Sequence, residues 1–464
     1  MKPITYPKTQ YQPLTGFDTV PIREFKGVNT YDSLSIDESF FSDISNMQTD
    51  DYPTLTVRPG YTVLGSAGSR VLGLGVWKDE ELHAVFDDGT WRRWNGSSWT
   101  TLASGFSTTA MWSFTNFQGN QSDVCLFGTN GVDGLRRYNG STVSAFGNGP
   151  SDLNYITTFS NRLWGASGKT LHASALDQPD KWQLFNGNDE DSYFKEIEST
   201  LGENINMLSG GMSKLTIGLP NSLHELYGGV PSDFNTWIIT EETGVYNNQS
   251  VFVQDGIMSF IHNNGIYQYI SGGTGPDRSF SDIVKGYDLN ISSTSAGTDG
   301  KKFYYYAQSG KILVYDPRLV TWTVYDDIYA TCFATFQDQL FIGDQLGRVL
   351  RLEGTTDGGN PISWYAITKT FSNSSVAQKM KWVKLWTFWE LASGSTLNVY
   401  FSPSATGNDW TLIKTFTGTG NQIQRIILPV DQFQLENMVR IKFAGTGWAR
   451  MHEYTRYIRA LPLY

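Results

Sequence analysis

Carboxylate pairs and histidines are the side chains of this sequence that could support acid–base or nucleophilic chemistry. Adjacent side chains of a β-strand point to opposite faces, so a pair adjacent in sequence does not make an acid–base dyad. The sequence contains no G-x-S-x-G elbow, no H-E-x-x-H motif and no phosphate loop. We therefore expect structural roles for the histidines, no catalytic residue, no metal site and no cofactor. The pairs and histidines are Asp50–Asp51, Glu241–Glu242, Asp326–Asp327, His83, His172, His224, His262 and His452.

Three turns come closer to known functional motifs. Asp87–Trp91 approaches the Ser-x-Asp-x-Gly-x-Thr-Trp repeat of sialidase-type propellers, but it is one residue short and occurs once. Asn188–Asp191 and Thr356–Asn360 are rich in oxygen ligands and do not follow the EF-hand pattern. We interpret the first as a hairpin turn and the other two as loops.

The composition favours an all-β fold. Only 17% of the 464 residues are charged, 14% are aromatic and 47 are glycine, a mixture typical of short strands and tight turns. The net charge of −10 argues against tight nucleic-acid binding. Cys125 and Cys332 lie in apolar runs and are expected to be buried thiols. Residues 1–6 have no secretory pattern and no apolar run is long enough to span a membrane, which predicts a soluble product of the cytoplasm.

A weak hairpin repeat occupies the middle of the chain. Its Gly/Asn turns are centred on positions 89, 134, 168, 222, 265, 310 and 347, with steps of 34 to 54 residues. This spacing is typical of four-stranded propeller blades. We predict a seven-bladed β-propeller over residues 66–354; the alternative is a large β-sandwich with irregular hairpins.

The longest step of the repeat contains an acidic insertion, residues 186–203. We predict an exposed excursion with a short helix at Tyr193–Ile197, and the alternative is an ordinary solvated loop. Candidate pore or subunit-contact residues are Asp189, Glu190, Asp191, Glu196 and Glu198.

The two ends of the chain differ from the repeat. Alternating strand patterns over residues 355–464 predict a C-terminal antiparallel β-sandwich, and residues 1–65 are expected to add N-terminal strands packed on it. Residues 361–464 carry 11 Lys and Arg against 5 Asp and Glu, a net charge of +6, whereas residues 1–360 carry −16. Such asymmetry can reflect docking surfaces of opposite sign, or ordinary surface variation.

Two groups of segments outside the hairpin repeat carry a family resemblance. The first group is Gly27–Asn29, Phe40–Asp50 and Leu55–Tyr61, and the second is Leu352–Trp364, Thr368–Phe371 and Lys381–Lys384. The first group resembles the opening of many bacteriophage virion propellers. The second resembles the hinge from the last blade to the terminal sandwich in tail nozzle, or tail tubular protein B-like, proteins of short-tailed bacteriophages. The resemblance covers the whole order of N-terminal strands, propeller and sandwich.

This resemblance implies a structural virion protein without catalytic residues, made in the host cytoplasm. It would form a homohexameric tail ring below the portal and adaptor, conduct double-stranded DNA during genome ejection, and anchor tail fibres or other tail proteins. An acidic ring would not bind the passing phosphates tightly. Two alternatives remain open: a receptor- or glycan-binding virion propeller, and a polysaccharide-degrading tail enzyme that would release reducing ends.

Overall fold

The computed structural model divides the chain into two units, of which one is Arg58–Ile362 and the other combines both chain ends, up to Val57 and from Ser363. Nearly every regular element is a strand, and in the described part of the chain no helix is long and apolar enough to cross a membrane. The structure describes residues 18–66, 68–263, 265–289, 293–373, 376–420, 422–425 and 436–461.

Four strands precede the larger unit: β1 Asp18–Ile22, β2 Phe41–Ser45, β3 Met47–Gln48 and β4 Leu55–Val57. The strands of the larger unit are β5 Tyr61–Ser66, β6 Val71–Trp77, β7 Glu81–Phe86, β8 Thr90–Trp94, β9 Trp99–Ser104, β10 Ser113–Phe117, β11 Cys125–Thr129, β12 Arg136–Tyr138, β13 Val143–Ala145, β14 Tyr155–Phe159, β15 Arg162–Ser167, β16 Thr170–Ala173, β17 Tyr193–Glu196, β18 Met207–Ser209, β19 Leu215–Gly218, β20 Leu223–Tyr227, β21 Asn235–Thr240, β22 Val251–Gln254, β23 Ile257–His262, β24 Gly265–Ile270, β25 Ser295–Thr298, β26 Phe303–Gln308, β27 Lys311–Asp316, β28 Thr321–Tyr325, β29 Ala330–Phe336, β30 Gln339–Asp344, β31 Arg348–Leu352, β32 Thr356–Asp357 and β33 Asn360–Pro361. Two short 3-10 helices lie at Asn248–Ser250 and Ser279–Val284.

These strands form small antiparallel sheets that follow one another along the chain. The groups are β6–β9, β10–β13, β14–β17, β18–β21, β22–β24 and β25–β28, and then β29–β31, which β5 completes by pairing with β31. The first strand of each sheet contacts the first strand of the next sheet: β6 contacts β10, β10 contacts β14, and β14 contacts β18. In the same way β22 contacts β25, β25 contacts β29, and β29 contacts β6. Met207 of β18 shares an apolar cluster with Val251 and Val253 of β22. The unit is therefore a closed β-propeller.

The propeller expected from the turn spacing is confirmed, while the number of seven blades stays a prediction, since one sheet has three described strands instead of four. Large apolar side chains pack between neighbouring sheets, for example Trp91 against Trp112, with ring centroids 5.3 Å apart. Glycines in the first strands allow the close approach: a Cβ on Gly297 would lie 2.4 Å from the Cβ of Phe333. Close packing of large apolar side chains therefore holds neighbouring sheets together.

The smaller unit is a β-sandwich built from both ends of the chain. In one sheet the order is β2-β34-β40-β37-β38, and in the other β41 pairs with β36, β1 and β4. Trp389 and Phe443 pack between them, with centroids 5.5 Å apart. The further strands are β34 Ser363–Thr368, β35 Phe371–Ser372, β36 Met380–Leu391, β37 Thr396–Ser402, β38 Thr411–Thr417, β39 Gln422–Arg425, β40 Met438–Thr446 and β41 Ala449–Ala460.

The observed boundaries, 57/58 and 362/363, differ from those expected at 65/66 and 354/355. The strand β5 belongs to the propeller because it pairs with β31, and β32 pairs with β5. The expected helix at Tyr193–Ile197 is wrong. Residues Tyr193–Glu196 form the strand β17 instead, whose half-buried and exposed side chains alternate with the period of two of a strand.

Candidate functional site

The acidic insertion is held in place by a buried arginine. Arg162, at the start of β15, is 1% exposed, and its guanidinium donates hydrogen bonds to the carbonyl oxygens of Ser174 (2.9 Å), Asp189 (2.7 Å) and Asp191 (2.5 Å). These carbonyls belong to the loop between β16 and β17. Hydrogen bonds to a charged donor are strong when they are buried, so they stabilise the observed conformation of this loop.

Asp191 also supports the loop from inside. It is 5% exposed, and its Oδ2 accepts hydrogen bonds from the backbone N–H groups of Asn186 (2.5 Å), Gly187 (2.6 Å) and Asn188 (3.1 Å). Burial alone would raise the pKa of Asp191, but these N–H groups and nearby Arg162 hold its pKa below the usual value. Asp191 was expected to be an exposed pore or contact group; that expectation is wrong, because its carboxylate is turned inward to cap its own loop.

The other four predicted residues, Asp189, Glu190, Glu196 and Glu198, are exposed. Among them lie two exposed aromatic side chains, Phe185 (55% exposed) and Phe194 (60%), whose rings meet edge to face with centroids 5.6 Å apart. We call this group the insertion surface: Phe185, Asp189, Glu190, Phe194 and Glu196. The exposure of these phenylalanines is not apparent from the sequence, because an aromatic residue in a strand or loop is normally part of the core.

The first strand of each sheet contributes to a cavity on the axis of the propeller. Its lining includes Leu74, Ser113, Thr157, Ser209, Ala296 and Phe333, and its volume is about 240 Å³. Gln249 closes part of it, since its Nε2 donates to the carbonyl oxygen of Trp112 at 2.8 Å. A cavity of this size holds a few water molecules and is far too narrow for a DNA duplex.

The histidines of the propeller are part of its packing. Nδ1 of His83 accepts a hydrogen bond from the indole N–H of Trp91 (3.0 Å), and Nε2 lies 3.3 Å from Glu81 Oε2. Burial lowers the pKa of His83 to about 4. Burial also lowers the pKa values of His172, His224 and His262. His83 is therefore neutral at pH 7 and protonated on Nε2, since Nδ1 is an acceptor.

We expect acid to destabilise the protein through His83. The pKa of His83 is lower in the folded state than in the unfolded state, so acid favours the unfolded state. The contribution of neutral His83 to the free energy of unfolding is fully present above about pH 6.5 and is lost as the pH falls towards 4. The total loss is about 3 kcal/mol. Urea unfolding at pH 7 and at pH 4.5 measures the loss. The variant His83→Gln keeps an acceptor for Trp91 and should lose less stability over the same interval. An equal loss in wild type and variant would contradict the prediction.

Residues with metal-binding or nucleophilic side chains are dispersed. In the described ranges no three His, Cys, Asp or Glu side chains are placed to hold a metal ion. Both cysteines are buried and free, and burial raises the pKa of Cys332 to about 12. The oxygen-rich turn at Thr356–Asn360 forms the hairpin β32–β33, and its Asp357 pairs with Arg58.

No protein-family model and no curated protein matches the chain. Among solved structures, it is similar to YCF48 bound to D1 peptide, with a TM-score of 0.44, 14% identity and coverage of 66% of this chain and 97% of that one. For the WD40 repeats of RRP9 the TM-score is 0.43 and the identity 8%, with coverage of 64% of this chain and 99% of that one. For the extracellular domain of the one-component system BT4673 from B. thetaiotaomicron the TM-score is 0.46 and the identity 10%, with coverage of 88% of this chain and 62% of that one. Similarities of this degree carry no argument about function.

Proposed function

We propose that this protein is a structural subunit of a bacteriophage tail, without enzymatic activity, which forms a homohexameric nozzle ring below the portal and adaptor of the virion. The observation that carries the proposal is the order of the fold: a propeller inserted between Val57 and Ser363 of a sandwich made from both chain ends. This is the order of N-terminal strands, propeller and terminal sandwich that the sequence resemblance implies. Copies of the chain, the adaptor and tail fibre proteins would be its partners.

The size of the axial cavity supports a DNA path outside the single propeller. A cavity of about 240 Å³, bridged by Gln249, leaves no room for a duplex, so the path would lie at the centre of a ring of copies. Six copies with a net charge of −10 each would carry about −60, and this charge discourages phosphates from binding to the channel.

The insertion surface supports a contact between copies. Large exposed aromatic side chains on a rigid support are typical anchors of protein interfaces, because little conformational entropy is lost when they are buried. Here Arg162 and Asp191 supply the rigid support, and exposed carboxylates surround the two phenylalanines. Residues 361–464 carry a net charge of +6, so this segment of a neighbouring copy is opposite in net charge to the acidic insertion. Such a contact would weaken as salt increases.

Imaging the neck and tail of intact virions tests the proposed function. We expect the chain as a six-fold ring below the adaptor. Detection at the distal tip of a fibre with three-fold symmetry would overturn the ring and favour a receptor-binding role. Release of reducing ends from host polysaccharide by the purified protein would overturn the assignment as a non-enzyme.

The double variant Phe185→Ser/Phe194→Ser is expected to prevent incorporation into tails while the monomer stays folded. Loss of two anchors should weaken the contact by at least about a hundredfold. Deletion of residues 186–203 is a poor test, because it removes the strand β17 together with the loop. The matched control is Leu346→Ser, which replaces an exposed apolar side chain (57%) on the last sheet. Complementation of a mutant phage, with tail content measured by mass spectrometry, gives the result; normal incorporation of the double variant contradicts this contact.

A further inference from the structure

A lateral cleft lies beside the contact between the first and last sheets of the propeller. Its volume is about 540 Å³, within the range of small-ligand sites. The apolar part of its wall is the edge of the core between these sheets: Leu64, Leu82 and Phe341 are buried, whereas Phe336 and the indole of Trp94 are half-buried. The rings of Phe336 and Phe341 are 5.7 Å apart, and Trp94 rests on Trp99 at 5.3 Å. Trp94 is half-buried, so part of its ring is available to a ligand.

Planar polar groups form the other part of the wall. Arg93 uses Nη1 for both of its hydrogen bonds, to Glu81 Oε1 (2.9 Å) and to the hydroxyl of Tyr138 (3.2 Å), which leaves Nε and Nη2 as donors. Arg351 pairs with Glu353 through Nη2, and 34% of its side chain is exposed. The exposed amides of Gln337 and Gln339 complete the polar wall.

The charges of the cleft are already balanced. Arg93 is paired with Glu81, Arg351 with Glu353, and Glu80 with Lys78. No excess of positive charge is left for a phosphate, a sulfate or a carboxylate. A ligand must therefore be uncharged, rich in oxygen acceptors, and flat and apolar on one face.

We propose that this cleft binds a neutral saccharide. A pyranose ring presents C–H groups that pack on an indole face, and its adjacent hydroxyls match the paired donors and acceptors of guanidinium, amide and carboxylate groups. Trp94 would support the ring, while Arg93, Arg351 and Gln339 would hold its hydroxyls. The proposal does not depend on the ring assembly, because every lining residue belongs to one propeller.

Binding of neutral oligosaccharides of glucose, galactose and N-acetylglucosamine to the full-length protein tests the site. Saturation-transfer NMR and calorimetry should detect binding at micromolar to millimolar concentrations. The variant Trp94→Ala should bind at least about tenfold more weakly. The matched control is Trp237→Ala, because Trp237 is exposed (61%) on the outer strand β21, far along the chain from the cleft, and its loss should leave binding unchanged.

Gln339→Ala removes an exposed amide that would hold the saccharide hydroxyls and does not touch the core, so it tests the site even where Trp94→Ala fails to fold. We expect it to weaken binding severalfold. Absence of binding to all of these oligosaccharides at millimolar concentration would overturn the proposal, as would equal losses in the Trp94 and Trp237 variants. Stronger binding of uronate oligomers, weakening with salt, would overturn the assignment of a neutral ligand. None of these results bears on the symmetry of the chain in virions, which tests the ring separately.

Discussion

Replacement of Arg58 by methionine is expected to lower the free energy of unfolding of the propeller by about 3–5 kcal/mol. Arg58 is 1% exposed and donates two hydrogen bonds to the carboxylate of Asp357, at 2.9 Å and 2.8 Å. Its guanidinium also donates to the carbonyl oxygens of Pro59 and Asp326 and lies over the ring of Tyr325. Loss of the cation leaves Asp357 and two carbonyls without their partner.

The ion pair of Arg58 and Asp357 lies where the chain enters and leaves the propeller. The backbone N–H of Gly60 donates a hydrogen bond to the carbonyl oxygen of Gly354 there, and a Cβ on Gly60 would lie 2.0 Å from the carbonyl oxygen of Thr356. The segment Arg58-Pro59-Gly60-Tyr61 thus has a physical explanation: the arginine pairs with Asp357, the glycine permits close approach, and Tyr61 starts the strand that closes the ring.

Urea unfolding of Arg58→Met, Asp357→Leu and the double variant measures this effect. The double variant should be more stable than Arg58→Met alone, because it removes the unpaired carboxylate together with its partner. Equal stability of wild type and Arg58→Met would contradict the prediction, and losses of the two single variants that simply add up in the double variant would show that the pairing energy is negligible.

Local signals in the sequence were sufficient for the propeller. Turn glycines such as Gly89, Gly134 and Gly310 have positive φ angles of 75°, 70° and 82°, so glycine is needed there and the hairpin spacing is visible in the sequence. The strand β17 was missed because a mixed run of charged and aromatic residues has no period that distinguishes a strand edge from a helical turn. Pairing with β16 decides its conformation.

Contacts between distant residues could not be predicted. Arg58 meets Asp357 from 299 positions away, and the cleft combines residues 80–96 with residues 336–351. Asp191 looked like its acidic neighbours, yet it alone is turned inward, because three N–H groups converge on it in the folded loop. The sequence shows which side chains are present, whereas their contact partners depend on how the closed propeller brings distant segments together.

The insertion surface should depend on the buried cation beneath it. We expect Arg162→Met to cost about 3 kcal/mol of stability, since the carbonyls of Ser174, Asp189 and Asp191 lose a charged donor in a buried position. The loss should be concentrated in the loop between β16 and β17. Hydrogen exchange of residues 186–192 should accelerate much more than exchange in β18 or β19, which lie in the next sheet.

The Arg162→Met variant also tests whether the insertion surface must be rigid for the contact between copies to form. Arg162→Met leaves Phe185 and Phe194 in place, yet it should reduce incorporation into tails, because a mobile loop must be ordered again when the contact forms. Arg318→Met is the matched control: that side chain is 69% exposed, and its pair with Asp316 contributes little. Asp191→Asn provides a milder second test, as it keeps the volume and weakens the three N–H bonds. Normal incorporation of both loop variants, with exchange in residues 186–192 accelerated as expected, would show that the phenylalanines do not need a preformed support.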